Sequence, residues 1–227
     1  MIGAVVNTAD LDRTAAPAPA LTQVAELAFA GGLATALQSL SSIRQTFPSG
    51  TFAWTLVPTG SSDALPDHLP PNTLPVAGRL AALEGLALVQ AERPPEPAHA
   101  RPAELPFILI ALRVGLTRRM LGLAIEHLRG RMSDGRPLIQ RQMIRGSIAE
   151  VAATLEICSS AIAAASSTPL GTRPTEWMHD RLDRADNLVV AMFGAAGFLL
   201  DHPVRCLHVV ALLRDLWDPG GQGDPPC

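Results

Sequence analysis

The sequence predicts a mainly α protein: an antiparallel four-helix bundle preceded by a short helical segment and a reduced β-rich insert. Three observations carry that reading. Apolar residues recur at helical spacing through most of the second half of the chain. Proline and glycine punctuate the first half so closely that only strand-length runs survive between them. The connections between the helical stretches are short, which favours antiparallel neighbours. With 227 residues, 48% of them hydrophobic and 17% charged, the chain can bury a core and does not resemble a disordered polymer.

Taken in order, residues 1–20 close on an Ala and Pro run at 14–20 and read as a flexible lead-in. From residue 21 to 43, Val24, Leu27, Ala28, Leu33, Leu37 and Leu40 keep helical spacing, and Gly31-Gly32 in their midst makes this one helix or two short ones. The next region, 47–102, is β-rich or irregular: 51–57, 74–76 and 86–89 are of strand length, and 79–83 suits a helical turn equally well. Residues 92–102, rich in Pro and charge, read as a linker. Together, 21–102 form a truncated helical and β-rich region, and 103–218 form the bundle.

The bundle's first helix is expected over 104–131, with Leu105, Ile108, Leu112, Leu116, Met120, Leu123 and Leu128 on one broad face. Gly135 and Pro137 break the pattern, and 138–165 resumes it through Met143, Ile144, Ile148, Val151, Leu155, Cys158 and Ile162. After a loop at 166–174, a third helix is expected over 175–200 and a fourth over 203–217, with 219–227 as a flexible tail.

Charge and cysteine usage exclude several classes. The formal net charge is −3, all 18 basic residues are Arg, and no basic block exists, so a nucleic-acid footprint is not supported. Cys158, Cys206 and Cys227 are odd in number and far apart, without metal-ligand spacing, so neither a disulfide framework nor a metal site is indicated. The amino terminus has no basic segment, and the longest apolar run, 188–200, is shorter than the roughly 20 residues a membrane span needs. The expectation is a soluble cytoplasmic protein with no membrane partner.

The corner between the first two bundle helices carries a recognisable pattern. Arg131, Gly135, Pro137, Leu138 and Gln142 match an Arg, two intervening residues, Phe-Gly-x-Pro-Leu and a Gln four residues further on. A second block, Gly194 to Phe198 followed by Arg214-Asp215, is similar to a Gly-Gly-x-Gly-aromatic loop with a downstream Arg-Asp, reached with an insertion. Both resemble the carboxy-terminal helical domain of acyl-CoA dehydrogenases, over about half the chain. The resemblance implies a bundle that forms homo- or hetero-oligomers with an acyl-CoA dehydrogenase-like subunit and lends a surface to FAD held mainly by that neighbour. By this carry-over Arg131, Gln142, Gly194 and Gly197 are the cofactor-binding candidates: arginine offers a planar cationic fork to a pyrophosphate, and glycine lets backbone approach a nucleotide.

The departures from the pattern define what kind of member this would be. Ser133-Asp134 replaces the family's Gln-Phe, putting a carboxylate near the expected polyanion; Ala191 and Ala195 replace a Gln and the second glycine; His127 replaces a Tyr. No Glu follows Asp215, where the family commonly carries its catalytic base, and Glu104, one residue off the alternative position, is the weak candidate. The sequence therefore suggests the auxiliary subunit of a heteromeric flavoenzyme, an oxidoreductase acting on an acyl thioester, whose base comes from the partner.

Two rivals stay open. One is a non-redox interaction module that kept the bundle and lost the cofactor. The other is a non-flavin enzyme reusing the fold, with Glu104, Glu126 and Asp134 as its first carboxylates. Plain readings also stand beside the sharp ones: Arg131 as a solvated helix-end cation, Gln142 as a helix-surface residue, and Gly194 and Gly197 as packing positions. His127, His202 and His208 are ordinary surface or helix-end imidazoles on this reading, and the mixed-charge run 179–186 is a solvated face without chemistry.

Overall fold

The computed structural model describes residues 21–40, 54–59, 75–90, 105–165 and 173–217. The lead-in, the linker with Glu104, most of the loop at 166–174 and the tail lie outside them.

Helix α1 spans Leu21–Ser39 and is bent at Gly32, whose φ of 80° no other residue type adopts cheaply, so the two short helices and the single helix are both partly realised. Strand β1, Trp54–Pro58, pairs antiparallel with β2, Leu86–Gln90, in the register Trp54 to Gln90 and Pro58 to Leu86. Between them stands α2, Pro75–Leu83. Residues 75 and 76 thus start a helix where a strand-length run was expected, since Pro75 suits a helix's first turn. Arg205 then ties this insert to the bundle, its Nε 2.8 Å from Glu84 and its Nη2 donating to the Leu83 carbonyl at 2.8 Å.

Helix α3, Leu105–Arg129, is the centre of the molecule. Every residue from Phe107 to Thr117 is buried, so its first half shows no one-sided pattern: α1, α4, Gln142–Ala165, α5, Arg173–Met192, and α6, Arg205–Trp217, all pack against it. The core runs unbroken from Val24 in α1 through Leu56 and Leu86 in the strands to Leu213 in α6. Between α3 and α4 the chain makes a tiny hairpin, β3 Met132–Ser133 with β4 Arg136–Pro137. Asp134 and Gly135, at φ 52° and 75°, supply the left-handed pair that a tight two-residue turn demands.

Helix α5 stops at Met192, eight residues before the expected end. Gly194, at φ 59°, breaks the helical path, and residues 194–198 form a tight 3₁₀ turn instead of continuing it. Helix α4 departs from expectation in another way. By length and composition it is apolar enough to cross a membrane, with only 28% of its most apolar stretch buried; its apolarity is carried by alanines that no continuous run of large side chains reveals.

Candidate functional site

The residues singled out at the α3–α4 corner and at the turn after α5 meet at one end of the bundle. Arg131 follows α3, its backbone fixed by the hydrogen bond from Leu138 N–H to the Arg131 carbonyl at 2.8 Å. Its side chain is exposed and reaches back to His127, Nη1 lying 3.4 Å from Nε2. The His127 ring packs at 5.4 Å from the buried Phe193 ring, whose other side meets His202 at 4.5 Å. Phe193 immediately precedes Gly194, so the two sequence blocks are joined through a His–Phe–His ladder.

Charges at this corner do not balance. Glu126 pairs with Arg129, and Asp134 pairs with Arg141, which also donates to the Ser133 carbonyl at 2.9 Å. Arg131 and Arg136 are exposed and have no carboxylate partner among the described residues. Asp134 is therefore neutralised locally, and the corner keeps a surplus of fixed positive charge, to which the amino-terminal end of α4 adds. Glu126 and Asp134, two of the three carboxylates of the non-flavin reading, are exposed and each paired with an arginine. His202 is lowered from its ordinary value by burial and by neighbouring His127.

The two glycines part company. A Cβ at Gly194 would meet nothing within 4 Å, so its role is its positive φ and its open face. A Cβ at Gly197 would stand 2.6 Å from the Val190 carbonyl, which makes Gly197 a packing position where the turn presses on α5. Gln142, the first residue of α4, is exposed. Among the described residues nothing encloses a flavin here. A groove of about 450 Å³ between α1, α3 and α4 and a smaller cavity of about 210 Å³ near Gly31 and Arg205 are lined by other residues. Among the described residues the corner is an exposed cationic surface and not a complete cofactor pocket.

The structure also reveals a polar centre that sequence reasoning treated as solvent-facing. Arg113, only 1% exposed, donates from Nη2 to Asp183 at 2.6 Å and to Asp186 at 2.7 Å, and its Nη1 lies 3.2 Å from His179 Nδ1. Thr117 donates to the second oxygen of Asp186 at 2.5 Å, and Arg214 reaches Asp183 at 3.3 Å. The run 179–186 is thus no solvated face: His179 and Asp186 are buried and lock α5 to α3. Burial, with Arg113 beside it, pushes the His179 imidazole down to about 3, and burial raises Asp186 against the pull of Arg113 and Thr117. Two signals pointed here. His179, Asp183 and Asp186 recur at helical spacing beside the apolar Met178, Leu182 and Ala185, and Arg113 is the lone charge in an otherwise apolar stretch.

Comparison with known proteins agrees with this architecture. The family model described as acyl-CoA dehydrogenase, C-terminal domain, matches residues 107–220. That match covers half of the chain, and the chain is a member of the acyl-CoA dehydrogenase family. Among solved structures it is similar to a variant of the Tcur3481-Tcur3483 steroid ACAD, at 19% identity and a TM-score of 0.42, over 57% of this chain and 39% of that one. The chain therefore spans well under half the length of that relative. No curated protein matches the chain.

Proposed function

We propose that this protein is an auxiliary subunit of a heteromeric, FAD-dependent enzyme of acyl-CoA dehydrogenase type, acting on an acyl thioester. The observation that carries the reading is the α3–α4 corner: among the described residues Arg131 and Arg136 have no carboxylate partner, and Arg131 is linked through His127 and Phe193 to the open turn at Gly194. Such a surface suits a pyrophosphate presented by another chain, with Arg131 as the first contact, exposed Gln142 at the start of α4 as a second polar candidate, and the Gly194 turn allowing backbone to come close. Gly197 supports that turn from beneath. When bound, the flavin would supply the hydride-accepting chemistry; the residues of this chain hold its charged half in place.

The catalytic base belongs to the partner on this reading. Glu104 lies outside the described residues, and Glu126 and Asp134 are tied up by Arg129 and Arg141. A cytoplasmic location and the absence of nucleic-acid and membrane partners go with the same proposal. The test is to co-purify the chain with an acyl-CoA dehydrogenase-like subunit that carries the flavin domain, strip the flavin and titrate FAD back. Arg131→Ala should weaken FAD retention by about tenfold or more, the scale of one charge-assisted contact. Unchanged retention in a stable complex would favour the non-redox interaction module.

A further inference from the structure

We infer that the groove between α1, α3 and α4 is a binding site for a small amphipathic cation, an alkyl chain ending in one ammonium group. The groove holds about 450 Å³, within the range of about 300–1,000 Å³ that small-molecule pockets occupy. Three helices build its apolar floor: Ala25 of α1, Val114 and Leu121 of α3, and Leu155 and Ile162 of α4, all buried. Water over such a floor finds no polar group beneath it, so an apolar chain laid there gains from displacing it. Val114 to Leu121 spans about 10 Å of helix and Ala152 to Ile162 about 15 Å, under three turns in each case. That length falls short of the stripe a partner helix would bury and fits a single alkyl chain.

Charge on the rim selects the head group. Arg118 is already engaged: its Nη1 donates to Glu26 at 2.8 Å, and its guanidinium lies over the Phe29 ring, 4.7 Å from the centroid. Glu156, contributed by α4, is exposed and has no ion-pair partner among the described residues. Two carboxylates against one guanidinium leave the groove with a negative surplus, and Thr22 and Ser159 on the same rim add hydroxyl oxygens that can accept from an ammonium. A carboxylate or phosphate ligand would lie against Glu156, and an uncharged one would leave it unanswered; a monocation satisfies it. The groove therefore differs from the cationic corner at Arg131 both in its residues and in its sign of charge.

Calorimetric titration of the full chain with n-octylamine at neutral pH, where an alkyl amine is protonated, tests this without any flavin or second subunit, so the cofactor proposal and this one fail separately. Octylamine should bind saturably at one equivalent. Hexylamine, two methylenes shorter, should bind about fifteenfold more weakly. Octanol should bind about fivefold more weakly than octylamine, and octanoate should not bind. Glu156→Gln should weaken octylamine by about fivefold and leave octanol unchanged, whereas Ala152→Trp, made at an exposed position of α4, should fill the groove and abolish both. Arg131→Ala should change none of these values. The inference is overturned if octylamine shows no saturable binding, as a groove covered by another protein chain would give. It is equally overturned if octanol and octanoate match octylamine, or if neither Glu156→Gln nor Ala152→Trp affects its binding.

Discussion

At the scale of single residues, the molecule turns on Arg113. A guanidinium this deep is tolerable because Asp183, Asp186 and His179 receive its donors, and removing it would leave Asp186 buried and uncompensated. Arg113→Ala is expected to cost about 3–5 kcal/mol in urea unfolding, while Arg113→Met combined with Asp186→Leu should recover most of that loss. His179 supplies a pH signature. Its folded pKa of about 3 lies below its unfolded value, so the folded state binds fewer protons and stability is complete above about pH 6.5. It is then lost as pH falls, at up to about 1.4 kcal/mol per pH unit below that point. Asp186, raised, contributes with the opposite slope, so the comparison to make is wild type against His179→Asn, whose stability should fall less steeply between pH 6.5 and 4.5. The family resemblance grouped Arg131 with Gly194, and the structure brings them to the same end of the bundle through His127 and Phe193. The sequence hid the Arg113 centre because a mixed-charge run looks the same whether it faces water or a buried arginine, until its spacing is set against the neighbouring apolar residues.

At the scale of elements, close approach decides which helices can pair. Gly115 lies where α3 meets α1, and a Cβ there would stand 2.2 Å from the Ala25 carbonyl. Gly115→Ala should therefore destabilise by at least about 2 kcal/mol in thermal unfolding, since backbone rather than a flexible side chain must move. Gly197→Ala meets the Val190 carbonyl and should likewise lower stability, whereas Gly194→Ala loses only about 1 kcal/mol through its left-handed φ. If Gly197→Ala proved neutral, the turn would not be pressed against α5 as described. Helices α3, α4 and α6 were legible because their apolar periods are long and their breaks are marked by Gly135, Pro137 and Pro203. The end of α5 was not, because apolar residues continue through the turn and only the backbone angle at Gly194 stops the helix. Residues 75 and 76 went to α2 rather than to a strand because runs so short fit both periods.

At the scale of the whole molecule, membership of the acyl-CoA dehydrogenase family accounts for the bundle, and what departs from the family accounts for the proposed role. The described residues build a closed hydrophobic core and an open cationic corner, but no flavin pocket of their own. Asp134, which read as an obstacle to a polyanion, instead occupies a left-handed position of the hairpin turn and is neutralised by Arg141, a pairing that depended on where the hairpin brought residue 141. The measurement that bears most directly on the account is the visible absorption spectrum of the protein, purified alone and with an acyl-CoA dehydrogenase-like subunit. The account predicts a colourless chain by itself, flavin bands in the complex, and their loss with Arg131→Ala while the complex stays assembled. A chain that neither binds FAD nor assembles with such a subunit would contradict it.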